Sequence, residues 1–515
     1  MPAFPAAEYR DRIAGVKRRM EAAGVDVLLC AEPASLNYLS GYDGWSFYVH
    51  QFLVLALSMD EPVWVGRAMD APGARLTTFL KPENIQPYPE DYVDAPDRHP
   101  ARFVAELMKA RGYGRARIGL ELDAFHFTGR SFAELTRALP DARLVDVYPL
   151  VNWVRIVKSP AEIEMMRAAA AIVSHAMEVG IAVVAPGVRE CDAVAEICAA
   201  QLRGTGPYWG DYPSAMPSVP SGAKTAAPHL TWSGDRYPAN TVAYLELGGC
   251  SHRYHAALAR TLYLGKPPQH LVDLATVVSD GLDRALDVAR AGRTCHEVEA
   301  AWRAVIEHAG YTKSSRIGYS IGLSYPPDWG ERTASLRQGD HTVLEPNMCF
   351  HMILGMWRED WGFELSETFR VTAGGPPEIL TSFPNASSRT HRGGGRANAP
   401  RSDAGWVTSR DRLHGRVVAR RSVVEMAPSV GRNPVVDGRV RAPDPRSQRA
   451  CRRSPGTAHP GQSHAQRVNP AVGRRVARGR VPPPTSAALP PGSHRGIPSR
   501  RSRGGDSARS ADATG

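Results

Sequence analysis

The stretch Ala226–Gly265, APHLTWSGDRYPANTVAYLELGGCSHRYHAALARTLYLG, constrains the fold of this chain more than any other. TVAYLEL has strand character from its β-branched and aromatic residues. Gly248 and Gly249 read as a break, and RYHAALARTLYLG as a second strand returning beside the first. Such a hairpin carries Glu246 and His255 toward one cleft, with His229 brought in on the loop ahead of it. A carboxylate and an imidazole converging on a cleft make a general acid/base pair, or the start of a metal site.

The flanking segments say what the hairpin packs against. Before it, EYRDRIAGVKRRMEAAG (8–24) repeats apolar residues at helical spacing and stops at Gly24. VDVLLC, QFLVLALS, EPVWVGRAM, RIGLELD and ARLVDVYP read as strands, with RFVAELMKARG and GRSFAELTRAL as helices. That alternation predicts an α/β domain over 1–155. A second domain, over 156–384, opens on a long amphipathic helix with Ser159 as N-cap, Pro160 at N1 and Glu162 three residues past the cap. Helices at ECDAVAEICAAQL and LVDLATVVSDGLDRALDVARAG flank the hairpin, and β-rich sequence runs from HTVLEPNMCFHMILGMW to FELSETFRVTAGG. The expected class is α+β.

Composition divides the chain again. Residues 385–515 hold 26 Arg, no Lys and 7 acidic residues, leaving 37 basic and 45 acidic in 1–384. The body is thus near −8 and the tail near +19, so the chain's pI of 9.4 describes the tail and gives no reason to assign nucleic-acid binding to the body. Rich in Arg, Gly, Pro and Ser and poor in aromatics, the tail is expected to be disordered. GC-rich DNA read out of frame yields such a composition, and the absence of Lys favours a frameshift over an RGG-like nucleic-acid-binding arm or an ordinary solvated linker. The seven cysteines form no CxxC pair, as expected of free thiols in a reducing cytoplasm. The N-terminus lacks a signal-peptide pattern, and FLVLALSM is too short to span a membrane.

From these segments the chain resembles the creatinase/aminopeptidase P/methionine aminopeptidase superfamily over about residues 5–384. The resemblance implies a pita-bread catalytic domain behind a smaller creatinase-type domain. In metal-dependent members two Asp, a His and two Glu hold the metal. The matching positions here read Glu246 in LELGG, Ala257 in AALAR, Tyr319 in GYSIG, Ile353 in FHMIL and Glu367 in SETFRVT. Two carboxylates of five donors do not make a cage, so no metal and no cofactor are expected. Within the superfamily NYLSGYDGWSFYVHQ, GRAMDAPGAR, SGAKTAAPHLTW and YPPDWGERTASLR are similar, in order and spacing, to the ectoine hydrolases.

The resemblance implies hydrolysis of the cyclic amidine of ectoine to N-acetyl-2,4-diaminobutyrate, with hydroxyectoine acceptance left open. It implies a homodimer in which the partner's N-terminal domain closes the site, and a deacetylase working alongside. Glu246 is then expected to attack the amidinium carbon or to activate water, and His229 to protonate the leaving nitrogen. Glu367 is expected to orient His229, to bind substrate, or to persist for structure. Tyr42, Trp45, Phe47 and Tyr48 suit a small zwitterion through cation–π contacts, or form domain-packing core. His255 and His351 are candidates to line the pocket, with a satisfied core histidine as the plainer reading of each. Arg332 and Arg67 are candidate carboxylate clamps. The rival activities are creatine amidinohydrolysis, Xaa-Pro dipeptide cleavage, and a non-catalytic binding role.

Overall fold

The computed structural model describes residues 2–381 and 383; the expectations for the tail from 385 fall outside them. The first part is built on a six-stranded mixed sheet: β1 (Val27–Cys30), β2 (Phe52–Ala56), β3 (Val63–Arg67), β4 (Ile85–Tyr88), β5 (Arg117–Leu120) and β6 (Arg143–Asp146). Their order is β4-β3-β2-β1-β5-β6. β1 is antiparallel to β2 and parallel to β5, and its four residues are all buried. That explains why VLLC is a continuous apolar run rather than an alternating one. The helices Ala6–Ala22, Pro100–Ala110 and Gly129–Ala138 lie where the apolar spacing predicts them.

The second part begins at the helix Pro160–Val183, where Ser159 and Glu162 complete a capping box and Pro160 occupies N1. This helix has the length and apolarity to cross a membrane, but 61% of its apolar window is buried inside the fold. Its partner is the hairpin of β7 (Val242–Ser251) and β8 (Tyr254–Tyr263). Leu245, Leu247, Ala256 and Leu258 meet Ala169, Val173 and Met177 of the helix, and Ile197 of the next helix, Glu190–Arg203. Each fully buried Leu, Ile or Val contributes roughly 1.5–3 kcal/mol. Strand alternation then leaves Tyr244, Glu246, Gly248 and Cys250 on the opposite face, toward the cleft.

The expected break at Gly248–Gly249 is not there. β7 runs through both glycines to Ser251, and the chain turns at His252 and Arg253, with φ of 48° and 67°. The glycines serve close approach instead. A Cβ on Gly249 would lie 2.1 Å from the Ala169 carbonyl oxygen, and one on Gly248 would lie 2.7 Å from the Trp329 ring.

A five-stranded antiparallel sheet completes the layer, in the order β10-β9-β11-β14-β15. Its strands are β9 (Gly318–Ile321), β10 (Gly330–Leu336), β11 (Cys349–Ile353), β14 (Ser366–Arg370) and β15 (Glu378–Ile379). The short hairpin of β12 (Met356–Trp357) and β13 (Gly362–Phe363) connects β11 to β14. The helices Gln269–Val288 and Cys295–His308 cover this sheet through Leu274, Val278 and Trp302 against Phe350 and Phe369. The result is an α+β pita-bread layer with a helix pair behind each half and the cleft face of β7/β8 in front.

Polar contacts tie the first part to the second. Asn37 Nδ2 donates to the Tyr325 hydroxyl at 3.0 Å, and that hydroxyl donates to Asp43 at 2.7 Å. Arg12 reaches Tyr254 and Glu162. Asn152 Nδ2 donates to the Glu331 carbonyl at 2.9 Å.

Candidate active site

Glu246 stands at mid-strand on the cleft face, half-buried, with its backbone bridged to Ser218. Burial pushes its carboxyl up to about 7. A second carboxyl, Glu364, follows β13 and is 1% exposed. Its backbone is clamped by Thr261: the Glu364 N–H donates to Thr261 Oγ1, and that hydroxyl donates to the Glu364 carbonyl, both at 2.8 Å. Thr261 pairs with Tyr244 across the hairpin, so the clamp hangs Glu364 over the Tyr244–Glu246 face. Burial first, and the Glu246 charge second, push the Glu364 carboxyl well above the usual range, with Lys313 opposing.

Lys313 donates to the Gly355 carbonyl at 2.5 Å, and its ammonium lies 4.3 Å from the centre of the Trp357 ring. Burial lowers its pKa to about 8, against the pull of Glu364. Toward the other side of Glu246 sits Tyr319, whose hydroxyl accepts from Trp329 Nε1 at 2.8 Å and lies 3.2 Å from His351 Nδ1. Burial, then the Glu246 charge, raise the Tyr319 pKa. The site thus gathers two carboxyls that resist ionising together, one weakened cation and several aromatic walls. That set of charges suits a small organic cation, with one carboxylate to attack or take a proton and one carboxylic acid to give one.

Glu246 is where the sequence puts it, but several other candidates are held elsewhere. His229 is exposed on its loop, and no hydrogen bond or ion pair joins it to Glu246 among the described residues. Glu367 faces away. In the β11/β14 register Ile353 opposes Ser366, whereas Glu367 opposes Met352 on the other face, where it forms a buried ion pair with Arg260 and accepts from Thr381. The position beside Ile353 is therefore filled by a serine, since side chains alternate along the strand.

His351 is buried and contacts Tyr319, with Nε2 2.8 Å from Ser366 Oγ; burial lowers its pKa to about 3, so it is a neutral wall behind Tyr319. His255 shares the face of Glu246 four residues along β7, opposite Cys250. Its Nε2 accepts from the Ser214 N–H at 2.9 Å, and burial, then Arg253, keep it neutral. Both are satisfied core histidines.

The aromatic cluster packs against its own chain. Tyr42 is buried, its hydroxyl 2.6 Å from Ser46 Oγ. Phe47 meets Tyr325 edge-on, and Trp45 meets Tyr212 at 4.5 Å. Trp45 and Tyr48 stay largely exposed, and the Tyr48 hydroxyl accepts from Arg67, which also forks onto Glu90. Arg332 is held by Asp123 and stacks on Phe125 and Tyr148. The residues that sequence reasoning missed are Glu364, Lys313, Tyr244 and Trp357. Their signal is faint: a Glu within the apolar run GFEL and a Lys outside any periodic element.

The comparisons agree with this architecture. Residues 12–157 match the creatinase/prolidase N-terminal domain, and 164–373 match metallopeptidase family M24. An ectoine hydrolase from Halomonas elongata is 42% identical over 74% of this chain and 97% of its own length. The chain belongs to the M24 family. An uncharacterized hydrolase/peptidase, y4tM, from Sinorhizobium fredii is 45% identical over the same shares. The dipeptidase PepE from Mycobacterium ulcerans has the same fold, with a TM-score of 0.62 at 22% identity over 74% of this chain and 97% of its own.

As an M24 member the chain is a hydrolase. A metallopeptidase family implies a metal, and the donors here do not fit one. Beside Glu246, the positions matched to the family's donors hold Ala257, Tyr319 and Ile353, and Ser366 rather than Glu367 lies across from Ile353. Among the described residues no group of three or more His, Cys, Asp or Glu side chains is placed to hold an ion.

Proposed function

We propose that this chain hydrolyses a small cyclic amidine, ectoine, to N-acetyl-2,4-diaminobutyrate without a catalytic metal. The observation that carries the reading is the pairing of half-buried Glu246 with fully buried Glu364 in a site whose family donor positions 257, 319 and 353 hold Ala, Tyr and Ile. An amidinium carbon is stabilised by resonance, so its hydrolysis needs a close nucleophile or base, a proton for the departing nitrogen and an environment that accepts positive charge. Glu246 supplies the first, as nucleophile or through water. The similarity to the Halomonas ectoine hydrolase supports the substrate.

The same reading divides the chain into a creatinase-type domain over 1–155 and a catalytic domain over 156–384. It also carries a cytoplasmic homodimer in which exposed Trp45 and Tyr48 reach the partner's cleft, and in which His229 gains a role only when that cleft closes. A substrate panel tests it. Ectoine is expected to turn over, with creatine and Xaa-Pro dipeptides left intact whether or not Mn is present. Dipeptide cleavage restored by Mn would establish the peptidase instead.

A further inference from the structure

We propose that Glu364 is the acid that protonates the departing ring nitrogen, opposite Glu246 and under the control of Lys313. This rests on the cyclic-amidine reading above. The Thr261 clamp fixes the Glu364 backbone on both sides of the residue, yet both side-chain oxygens are buried with no hydrogen-bond partner. Tyr244, Ser218 and Trp357 gather around the same face, where the Tyr244 hydroxyl is bonded by the side chains of the other two and lies in the field of Glu364. A buried polar atom left unpaired destabilises the fold. The two unpaired Glu364 oxygens, on a backbone clamped by Thr261 and beside Tyr244, form a polar subsite shaped for a guest that brings its own N–H groups. A ring amidinium does so, with two in-plane N–H groups for carboxyl oxygens and a flat face for Trp357.

Water adds to the amidinium carbon while Glu246 takes one of its protons, giving a neutral tetrahedral carbon that bears a hydroxyl, the methyl group and both nitrogens. The Glu364 carboxylic acid gives its proton to one nitrogen as that C–N bond breaks and the electron pair leaves with the nitrogen. The hydroxyl proton passes to Glu364 as the C=O forms, and the freed amine takes the proton held by Glu246. Amidinium and water become amide and ammonium, and both carboxyls regain their starting states. Lys313 matters because a nearby cation favours the ionised form of Glu364 and so decides when the acid can release its proton.

The test is the pH dependence of kcat and KM for ectoine in the full chain, wild type against Glu364→Gln and Lys313→Met. Wild type should show a bell. Glu364→Gln should bind ectoine within about tenfold by calorimetry, lose roughly 10²–10⁴ in kcat and lose the basic limb. Lys313→Met should move that limb to higher pH, since Glu364 then holds its proton longer. This second variant also decides the matter if Glu364→Gln does not fold. An unchanged kcat or a surviving basic limb in Glu364→Gln, or an unmoved limb in Lys313→Met, would overturn the assignment while leaving the substrate reading intact. No ectoine turnover by wild type would remove the substrate reading and the acid with it.

Discussion

Replacing Glu367 with Ala should cost stability and spare chemistry. The residue is 3% exposed, its partner Arg260 is 2% exposed, and Arg260 also donates to the Ala259 and Ser366 carbonyls at 2.8 and 2.7 Å. Removing the carboxylate leaves a guanidinium buried among backbone carbonyls with its charge uncompensated. Breaking such a pair from one side costs about 3–5 kcal/mol, whereas replacing both partners with apolar side chains is often neutral. Urea titrations should therefore give Glu367→Ala a midpoint well below wild type, and Arg260→Met/Glu367→Leu a midpoint near it. The folded double variant should keep its kcat, because Glu367 lies on the far face of β14 from Glu246. A loss under about 1 kcal/mol in the single variant, or an inactive but stable double variant, would refute this reasoning.

Other consequences follow from particular groups. Because the Glu246 carboxyl lies near 7 and must be ionised to act, kcat/KM should fall below about pH 7; Glu246→Gln should abolish turnover. Its folded pKa is raised above the unfolded value of about 4.3, so it contributes stability at low pH that is lost as pH rises through 7. Glu246→Gln should accordingly be more stable than wild type at pH 8 by thermal melting. His351 works in the opposite sense: its pKa is lowered to about 3, so its stability is present above about 6.5 and lost as pH falls toward 3, by about 1.4 kcal/mol per unit. Acid denaturation of His351→Gln should be correspondingly shallower. Gly249→Ala should destabilise by at least about 1–3 kcal/mol in urea, since its methyl group meets backbone of the helix Pro160–Val183.

Much of the fold is legible because it rests on local rules. Ser159, Pro160 and Glu162 announce a helix start in any context, and alternating apolar residues place β7 and β8 wherever they pack. The glycines misled because Gly248 and Gly249 look the same in sequence whether they turn a chain or admit a neighbour; only the position of Ala169 and Trp329 decides. Glu246 is readable from its strand.

Glu367 and Ser366 are one residue apart, and which of them faces the cleft depends on the β11/β14 register, which a lone sequence does not print. Glu364 is harder still. Its chemistry comes from Thr261, Lys313 and Glu246, 103, 51 and 118 residues away in the chain, and from burial that no local pattern encodes. His229 shows the reverse: a residue type and loop position that imply catalysis, on a side chain that stands exposed.

The most direct test is proton NMR of ectoine incubated with the full chain after EDTA treatment and verified metal removal, beside Glu246→Gln handled identically. The ring methyl signal of ectoine should be replaced by an acetyl methyl signal at the untreated rate, and the variant should produce none. Activity that disappears with EDTA and returns with Mn or Co would contradict this expectation.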